Sequence, residues 1–314
     1  MTTLNMKKIE LTTSLKASHF ALPRAKELDA AFTKCVEEYY VSQQIEGMEV
    51  RGLTVTGESR LGKSREIQKV IRAFNNSETL MPDGRPAKVV SCLLSGRVSF
   101  KDLGLKTLKA LGYDLQSNRT QEYIWEKVID QSQELGVIGI HYDECQHVFL
   151  DKADKTNRIF LDSFKSMMKE PRWPLMMILS GVPQLAKYVH SYEQLDALMD
   201  PVHFKTISLR RDMDLLSGMI FAFADLAEIE IEEIVTEDFL ARLDHACSHR
   251  WGLVIELLIN TLVEAKLKGK TQLQIKDFAK QFALTKGIPK EYSPFTAPDF
   301  REGFDTQRLL ALSK

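Results

Sequence analysis

The stretch G57-E-S-R-L-G-K-S64 decides how this chain folds, because it fits the pattern G-x-x-x-x-G-K-S/T. It follows a short apolar run, GLTVTG, which is typical of a strand, and it precedes a stretch with helical spacing that starts near Lys63. A glycine-rich turn in this position lets successive N–H groups point at phosphate oxygens, and the helix N-terminus adds its positive dipole end. The sequence therefore predicts a phosphate-binding loop.

Two residues of this loop are predicted to act on a bound ATP molecule directly. Lys63 should reach the β- and γ-phosphates, and the Ser64 hydroxyl should bind Mg²⁺. The residues predicted to surround the nucleotide are Gly57, Glu58, Ser59, Arg60, Leu61, Gly62, Lys63, Ser64 and Arg65. ATP and Mg²⁺ are thus the predicted cofactors.

A second motif, V137-I-G-I-H-Y-D143-E144, is an apolar strand that ends in two carboxylates. Asp143 is predicted to hold Mg²⁺, and Glu144 to polarise the attacking water as a general base. The alternative is an acidic pair that only caps the next helix. Because a water-activating glutamate serves hydrolysis and not transfer to another substrate, the motif favours an Mg²⁺-dependent ATPase.

Two further residues are candidates for contact with the γ-phosphate. Ser180 ends the apolar strand 175–181, and there it could contact the γ-phosphate or the attacking water; alternatively it caps the helix that begins near Pro183. Arg250 stands at the start of a later helix and could bind the γ-phosphate; alternatively it is a surface arginine.

Alternating strands and helices predict an α/β fold, a P-loop NTPase core with a five-stranded parallel sheet. The strands are expected at 52–57, 87–94, 137–143, 173–181 and 203–209. From Asp212 onward only helical periodicity remains, which predicts a small C-terminal helical lobe. The predicted regions are an N-terminal arm (1–20), the nucleotide-binding core (21–210), the helical lobe (211–285) and a C-terminal tail (286–314).

Composition excludes several classes of protein. The 314 residues carry a net charge of −1, which excludes a uniformly basic nucleic-acid-binding surface. The four cysteines are scattered and the histidines lack metal-ligand spacing, so neither a disulfide framework nor a zinc site is predicted. No signal sequence and no long apolar run is present, so a cytoplasmic protein without membrane contact is expected.

The order of these motifs, with the helical lobe after them, resembles that of the AAA+ ATPases. Within them the chain looks like the transposition regulators, the TniB, TnsC and IstB-like proteins. The matching segments are A21-L-P-R-A-K-E-L28, the loop T56-G-E-S-R-L-G-K-S64, I178-L-S-G-V-P-Q-L185 and H249-R-W-G-L-V-I-E-L-L258. The resemblance covers roughly residues 20–285.

This resemblance implies an ATP-dependent protein that binds double-stranded DNA without sequence preference. It implies a homo-oligomer, a ring or a helical filament, that recruits or activates a transposase or a target-selection protein. Family members often show an arginine before the fifth strand that completes a neighbour's site, but this chain has His203 and Phe204 there. The substitutes nearby are Lys205, Arg210 and Arg211.

The family's DNA contacts lie on loops between the second strand and the strand that ends in Asp-Glu. The candidates in this chain are Arg97, Lys101, Arg119 and Thr120, and the alternative is ordinary solvated surface charge. Two rival functions stay open: a signalling or defence ATPase switch that recruits a protein effector, and a module that uses ATP only as structural glue. Glu144 argues against the second, because a site without catalysis could discard it.

Overall fold

The computed structural model describes residues 4–116, 118–149 and 154–311, which form two compact units. The first unit comprises residues 23–204, and the second comprises residues 4–22 together with residues 205–311. The N-terminal residues therefore belong to the same unit as the C-terminal helices. The predicted boundaries had separated an arm, a lobe and a tail.

The strands and helices alternate in the first unit, and helices make up the second. The strands are β1 (Gly52–Gly57), β2 (Lys88–Leu93), β3 (Val137–Asp143), β4 (Met176–Gly181) and β5 (Met199–Phe204). The helices are α1 (Met6–Ala17), α2 (Pro23–Ser42), α3 (Lys63–Asn76), α4 (Phe100–Ala110), α5 (Gln121–Leu135), α6 (Asp154–Met168), α7 (Gln184–His190), α8 (Glu193–Asp196), α9 (Leu209–Ala227), α10 (Glu237–Ala246), α11 (Trp251–Leu267), α12 (Ile275–Lys286), α13 (Phe300–Gly303) and α14 (Thr306–Ala311). None of the helices in the described part of the chain is long and apolar enough to cross a membrane.

The five strands form one parallel sheet in the order β2-β3-β4-β1-β5, which confirms the predicted fold class. Every residue of β1, β3 and β4 is buried, as expected of central parallel strands covered on both faces. The edge strands β2 and β5 instead mix buried and exposed residues. Since β4 lies between β1 and β3, the phosphate loop and the Asp-Glu pair follow strands that are not direct neighbours.

The predicted position of the fifth strand, 203–209, is wrong. The strand spans Met199–Phe204, and Leu209 already begins α9. Asp200 and Pro201 weaken the strand signal in the sequence, because both residue types are depleted in strands. An edge strand tolerates proline, and the Asp200 carboxylate accepts hydrogen bonds from Arg51 and from Lys34, the latter at 2.8 Å.

The N-terminal residues predicted as an arm contain a helix that packs in the second unit. Helix α1 begins after Asn5, whose side chain accepts a hydrogen bond from the Lys8 N–H, and it packs against α9 and α11. Lys8 Nζ lies 2.6 Å from Glu264 Oε1, and Leu15 is the buried residue of the helix. A single buried side chain leaves almost no apolar period in the sequence.

The C-terminal tail packs on α10. The Arg242 guanidinium donates hydrogen bonds to the carbonyl oxygens of Pro294 and Ala297, at 2.8 and 2.6 Å, and lies 4.7 Å from the centre of the Phe300 ring. The His245 Nε2–H donates to the Phe304 carbonyl oxygen at 2.7 Å. The polar and proline-rich tail is therefore held by side chains of α10 through its backbone oxygens.

A buried carboxylate holds the turn between α10 and α11. His249 Nδ1 lies 2.7 Å from Asp244 Oδ2, and His249 has a left-handed backbone with φ of 60°. The hydrogen bond to the Asp244 carboxylate raises the pKa of His249 above its ordinary value, although partial burial opposes the shift. The neighbouring ring of His245 has its centroid 6.3 Å from that of His249.

This pair should make the stability of the second unit depend on pH. The folded pKa of His249 is raised, so the stabilisation is complete below the ordinary value of 6.5 and is lost as pH rises through the raised value. We expect a loss below about 1 kcal/mol, because 45% of the His249 side chain is exposed. Urea midpoints at about pH 6 and about pH 8.5 would measure it.

The His249→Asn variant is the matched control, because asparagine tolerates left-handed backbone but does not titrate in this range. It should show a smaller fall in the urea midpoint over the same pH interval. An equal fall in both proteins would show that the pair contributes nothing to the pH dependence.

Candidate active site

The phosphate loop lies between β1 and α3, as the sequence predicts. Gly57 must be glycine because a Cβ there would lie 2.6 Å from the carbonyl oxygen of Phe204. Gly62 has φ of 91° and Arg60 has φ of 65°, both in the left-handed region. These two positions turn the backbone so that the loop can present its N–H groups to an anion. Arg60 thus takes a conformation that glycine would adopt more easily.

Lys63 is buried at the first position of α3, and its ammonium group bends over the loop. Its Nζ donates to the carbonyl oxygens of Gly57 and Glu58 at 2.8 and 3.0 Å. These bonds place the ammonium group inside the curve of the loop. Of the other loop residues, Leu61 is fully buried and anchors the loop. Those at the surface are Glu58, Ser59, Arg60 and Arg65, and Ser64 is half-buried.

Asp143 is the first member of a hydrogen-bond chain that crosses three strands and is buried except at its far end, Ser91. Ser180 Oγ donates to Asp143 Oδ1 at 2.6 Å, and it lies 2.8 Å from Nε2 of His141. Nδ1 of His141 lies 3.2 Å from Ser91 Oγ on β2. Strand register explains why these residues meet. Ser91 pairs directly with His141. Tyr142 pairs with Leu179, so the residues that follow them, Asp143 and Ser180, lie side by side.

Burial determines the protonation state of His141, and its hydrogen bonds determine which ring nitrogen carries the proton. Burial lowers its pKa to about 4, although the Asp143 carboxylate opposes that shift, so the imidazole is neutral at physiological pH. The Ser180 hydroxyl donates its only proton to Asp143, so toward His141 it can act only as an acceptor. We therefore assign the imidazole proton to Nε2, which donates to Ser180. Ser180 therefore positions Asp143, and its predicted contact with the γ-phosphate stays a prediction.

Glu144 follows β3 with a left-handed backbone, φ 57° and ψ 39°. Such a conformation is uncommon for a residue other than glycine, asparagine or aspartate and turns the chain sharply at the strand end. The Glu144 carboxylate accepts a hydrogen bond from the Gln146 side-chain amide, and the Glu144 N–H donates to Asp143 Oδ1 at 3.1 Å. Each of the two carboxylates therefore has its own side-chain partner, Ser180 for Asp143 and Gln146 for Glu144.

The donor set fits Mg²⁺. Hydroxyl and carboxylate oxygens are the ligands that this ion prefers, and in nucleotide sites it takes few protein ligands because phosphates supply the rest. Asp143 Oδ1 is occupied by Ser180 and by the Glu144 N–H, which leaves the Oδ2 atom for a metal. Ser64, in the first turn of α3, supplies the hydroxyl. Asp143 and Ser64 are therefore the residues that would hold the ion.

The remaining sensor and arginine-finger candidates lie outside the first unit. Arg250, Lys205, Arg210 and Arg211 all belong to the second unit. The Arg211 guanidinium is paired with Asp212, at 2.6 Å, in the first turn of α9. Lys205 and Arg210 are exposed, and Arg250 directly precedes α11. Their roles as sensor or arginine finger stay predictions.

The four predicted DNA contacts lie on the segments between β2 and β3. Arg97 and Arg119 are exposed, and the Arg119 guanidinium lies 5.3 Å from the centre of the Tyr123 ring. Lys101 stands in the first turn of α4. The Thr120 hydroxyl accepts a hydrogen bond from the Tyr123 N–H and so caps α5, which gives it a structural role.

Sequence reasoning missed three residues of the site. His141 stands two residues before Asp143 and so faces the same side of the sheet, a signal that strand periodicity contains. Gln146 stands two residues after Glu144, a position to which none of the sequence motifs assigns a role, so the sequence contained no signal for it. Arg24, quoted above only as part of a matching segment, lies beside the loop: a Cβ on Gly62 would be 3.5 Å from its guanidinium.

Fold and site together define a P-loop ATPase fold of the AAA+ type. Residues 49–189, which include the loop and the Asp-Glu pair, match the family model described as "AAA domain". No curated protein sequence matches the chain.

Solved structures extend this similarity across both units. Cdc6p from Pyrobaculum aerophilum has a TM-score of 0.59 and 12% identity, over 88% of this chain and 74% of that one. The ORC2 protein of Aeropyrum pernix, solved as ADPNP–ADP complexes, has a TM-score of 0.58 and 13% identity, over 86% and 71%. The ORC1 protein of Aeropyrum pernix, in complex with DNA, has a TM-score of 0.57 and 11% identity, over 96% and 85%. At such identities the similarity shows a shared fold.

The Ser180→Ala variant tests the hydrogen-bond chain. It leaves the buried His141 Nε2–H without an acceptor and takes one donor from Asp143, so the free energy of unfolding should fall by about 1–3 kcal/mol in urea titrations. In the Ser91→Ala control the lost hydroxyl is on an exposed residue, so water can replace it and the loss should be smaller. If both variants were as stable as the wild type, the chain would be energetically unimportant.

Proposed function

We propose that this protein hydrolyses ATP in an Mg²⁺-dependent reaction. The observation that supports the proposal is the shared sheet edge: the loop with Lys63 follows β1, and the Asp143–Glu144 pair follows β3, at the carboxyl ends of parallel strands. In open α/β sheets, ligands bind at that edge. A site with a phosphate cradle, a metal-binding carboxylate and a second carboxylate has the parts that ATP hydrolysis needs.

Each residue then has a separate task. The loop amides and the Lys63 ammonium group bind and orient the phosphates, with the first turn of α3 contributing its positive dipole end. Ser64 and Asp143 would hold the ion, which when bound would neutralise charge that develops on the phosphate oxygens. Glu144 orients a water molecule and takes up its proton. Ser180 keeps the Asp143 carboxylate in one orientation.

The Glu144→Gln variant tests this assignment. It should bind ATP with unchanged affinity but hydrolyse it about 10²- to 10⁴-fold more slowly, because the amide cannot accept the proton. Phosphate release under single-turnover conditions measures the rate, and fluorescent ATP titration measures the affinity. The Lys63→Ala control should lose more than about tenfold in ATP affinity. Wild-type turnover in Glu144→Gln would remove the general-base role.

We further propose that the ATP-bound protein assembles on double-stranded DNA and there regulates a transposase or a target-selection protein. Two observations support DNA as the partner: a structure that shares this fold is a complex with DNA, and three of the candidate residues are cations on the segments between β2 and β3. With a net charge of −1, one subunit offers few phosphate contacts, so assembly would be needed to accumulate them. The transposition role rests on the resemblance of the quoted segments.

The DNA proposal is tested by titrating duplex DNA with the protein in the presence of a non-hydrolysable ATP analogue. Affinity should be independent of sequence and should fall with salt, with a slope of about 0.9 per phosphate contact. The triple variant Arg97→Ala, Lys101→Ala, Arg119→Ala should weaken binding and flatten that slope. No DNA affinity in the wild type would instead favour the switch that recruits a protein effector.

The matched control removes three cations from the second unit: Lys276→Ala, Lys280→Ala and Lys290→Ala, all exposed. It changes the net charge by the same amount. Equal weakening in both triple variants would mean that overall charge, and not the segments between β2 and β3, determines binding.

A further inference from the structure

Gln146 connects the Glu144 carboxylate with the end of β4. Its side-chain N–H donates to Glu144 Oε2, and its side-chain oxygen accepts a hydrogen bond from the Val182 N–H at 3.3 Å. One carboxamide therefore uses both of its polar ends, one on the catalytic carboxylate and one on the backbone just after β4. This β4 end is the same one from which Ser180 contacts Asp143.

The backbone around Gln146 is hydrogen-bonded and flanked by buried side chains. A short 3₁₀ helix, Cys145–Val148, follows Glu144 directly, and Cys145 and Val148 are fully buried. The Phe149 N–H donates to the Gln146 carbonyl oxygen at 3.0 Å, and the Phe149 ring stacks on that of Tyr188 in α7. Gln146 itself is 5% exposed. Its carboxamide is thus held by two hydrogen bonds in a site almost closed to water, which suits a residue that orients another side chain.

We propose that Gln146 is a positioning residue for Glu144 in the ATPase reaction, an inference that rests on the function proposed above. A flexible glutamate at the end of a strand can adopt several rotamers, and only some of them bring its carboxylate to an attacking water. The amide of Gln146 binds one carboxylate oxygen and leaves the other for the water. The β4 end thereby orients both carboxylates, Asp143 through Ser180 and Glu144 through Gln146.

Gly181 leaves the space that the Gln146 carboxamide occupies. A Cβ at this position would collide with the Gln146 side-chain oxygen, while the next contact, Leu185 Cδ2, would be at 3.2 Å. The atom in the way is the end of a flexible side chain, so an added methyl group should displace the carboxamide and leave the strand in place. Glycine at 181 is therefore what gives the Gln146 amide its room.

Two substitutions can therefore break one contact from its two sides. Gln146→Ala removes the carboxamide, and Gly181→Ala pushes it away. Each should slow single-turnover hydrolysis by about 10- to 100-fold, the usual cost of losing a group that orients a catalytic residue. The affinity for ATP should change by less than about twofold in either variant, because the phosphate loop is untouched.

The double variant Gln146→Ala, Gly181→Ala decides between positioning and simple structural damage. Without the carboxamide the methyl group keeps only the contact with Leu185 Cδ2 at 3.2 Å, so the double variant should be about as slow as Gln146→Ala alone. Gly218→Ala is the control for an added methyl group, since a Cβ there lies 4.0 Å from its nearest neighbour, Phe20 Cζ. It should hydrolyse ATP at the wild-type rate.

Several outcomes would overturn the positioning role: an unchanged or faster rate in Gln146→Ala, losses that multiply in the double variant, or a parallel fall in ATP affinity. These results differ from a failure of the proposed function. If the wild type does not hydrolyse ATP, the ATPase assignment itself fails. If the wild type hydrolyses ATP and Glu144→Gln does not, but Gln146→Ala is normal, only the role of Gln146 is lost.

Discussion

The pairing of β4 between β1 and β3 is the constraint on which the rest of the site depends. Parallel strands end at one edge, so this order places the phosphate loop on one side of the β4 end and the acidic pair on the other. The inserted strand β4 therefore separates the two motifs along that edge. The residues at the end of β4 then make the contacts that orient the acidic pair.

Those contacts form one polar unit in an otherwise apolar layer. Ser180 binds Asp143, the Val182 N–H binds Gln146, and Gln146 binds Glu144. Buried polar groups are costly unless each finds a partner, so such a unit is stable only when it is complete. Neutral His141 supplies the proton that the Ser180 oxygen accepts. Stability and orientation therefore come from the same hydrogen bonds.

Several elements could be predicted from local pattern because their signal is local. Strands β1, β3 and β4 are buried throughout and mostly apolar in sequence, and the loop motif marks the start of α3 without ambiguity. Strand β5 could not be placed, because Asp200 and Pro201 are poor strand residues whose conformation depends on pairing with β1 and on ion pairs with Arg51 and Lys34. Helix α1 could not be predicted either, because it buries one leucine and its packing partners, α9 and α11, are distant in sequence.

The sequence by itself determined the phosphate loop, the acidic pair and the α/β class, since each follows from residue types at fixed spacing along the chain. Only the tertiary structure decided that Ser180 contacts both Asp143 and His141, and that Gln146 contacts the backbone just after β4. The physical reason is strand register. Which side chains meet across a parallel sheet depends on the alignment of segments far apart in the chain, and no local pattern encodes that alignment.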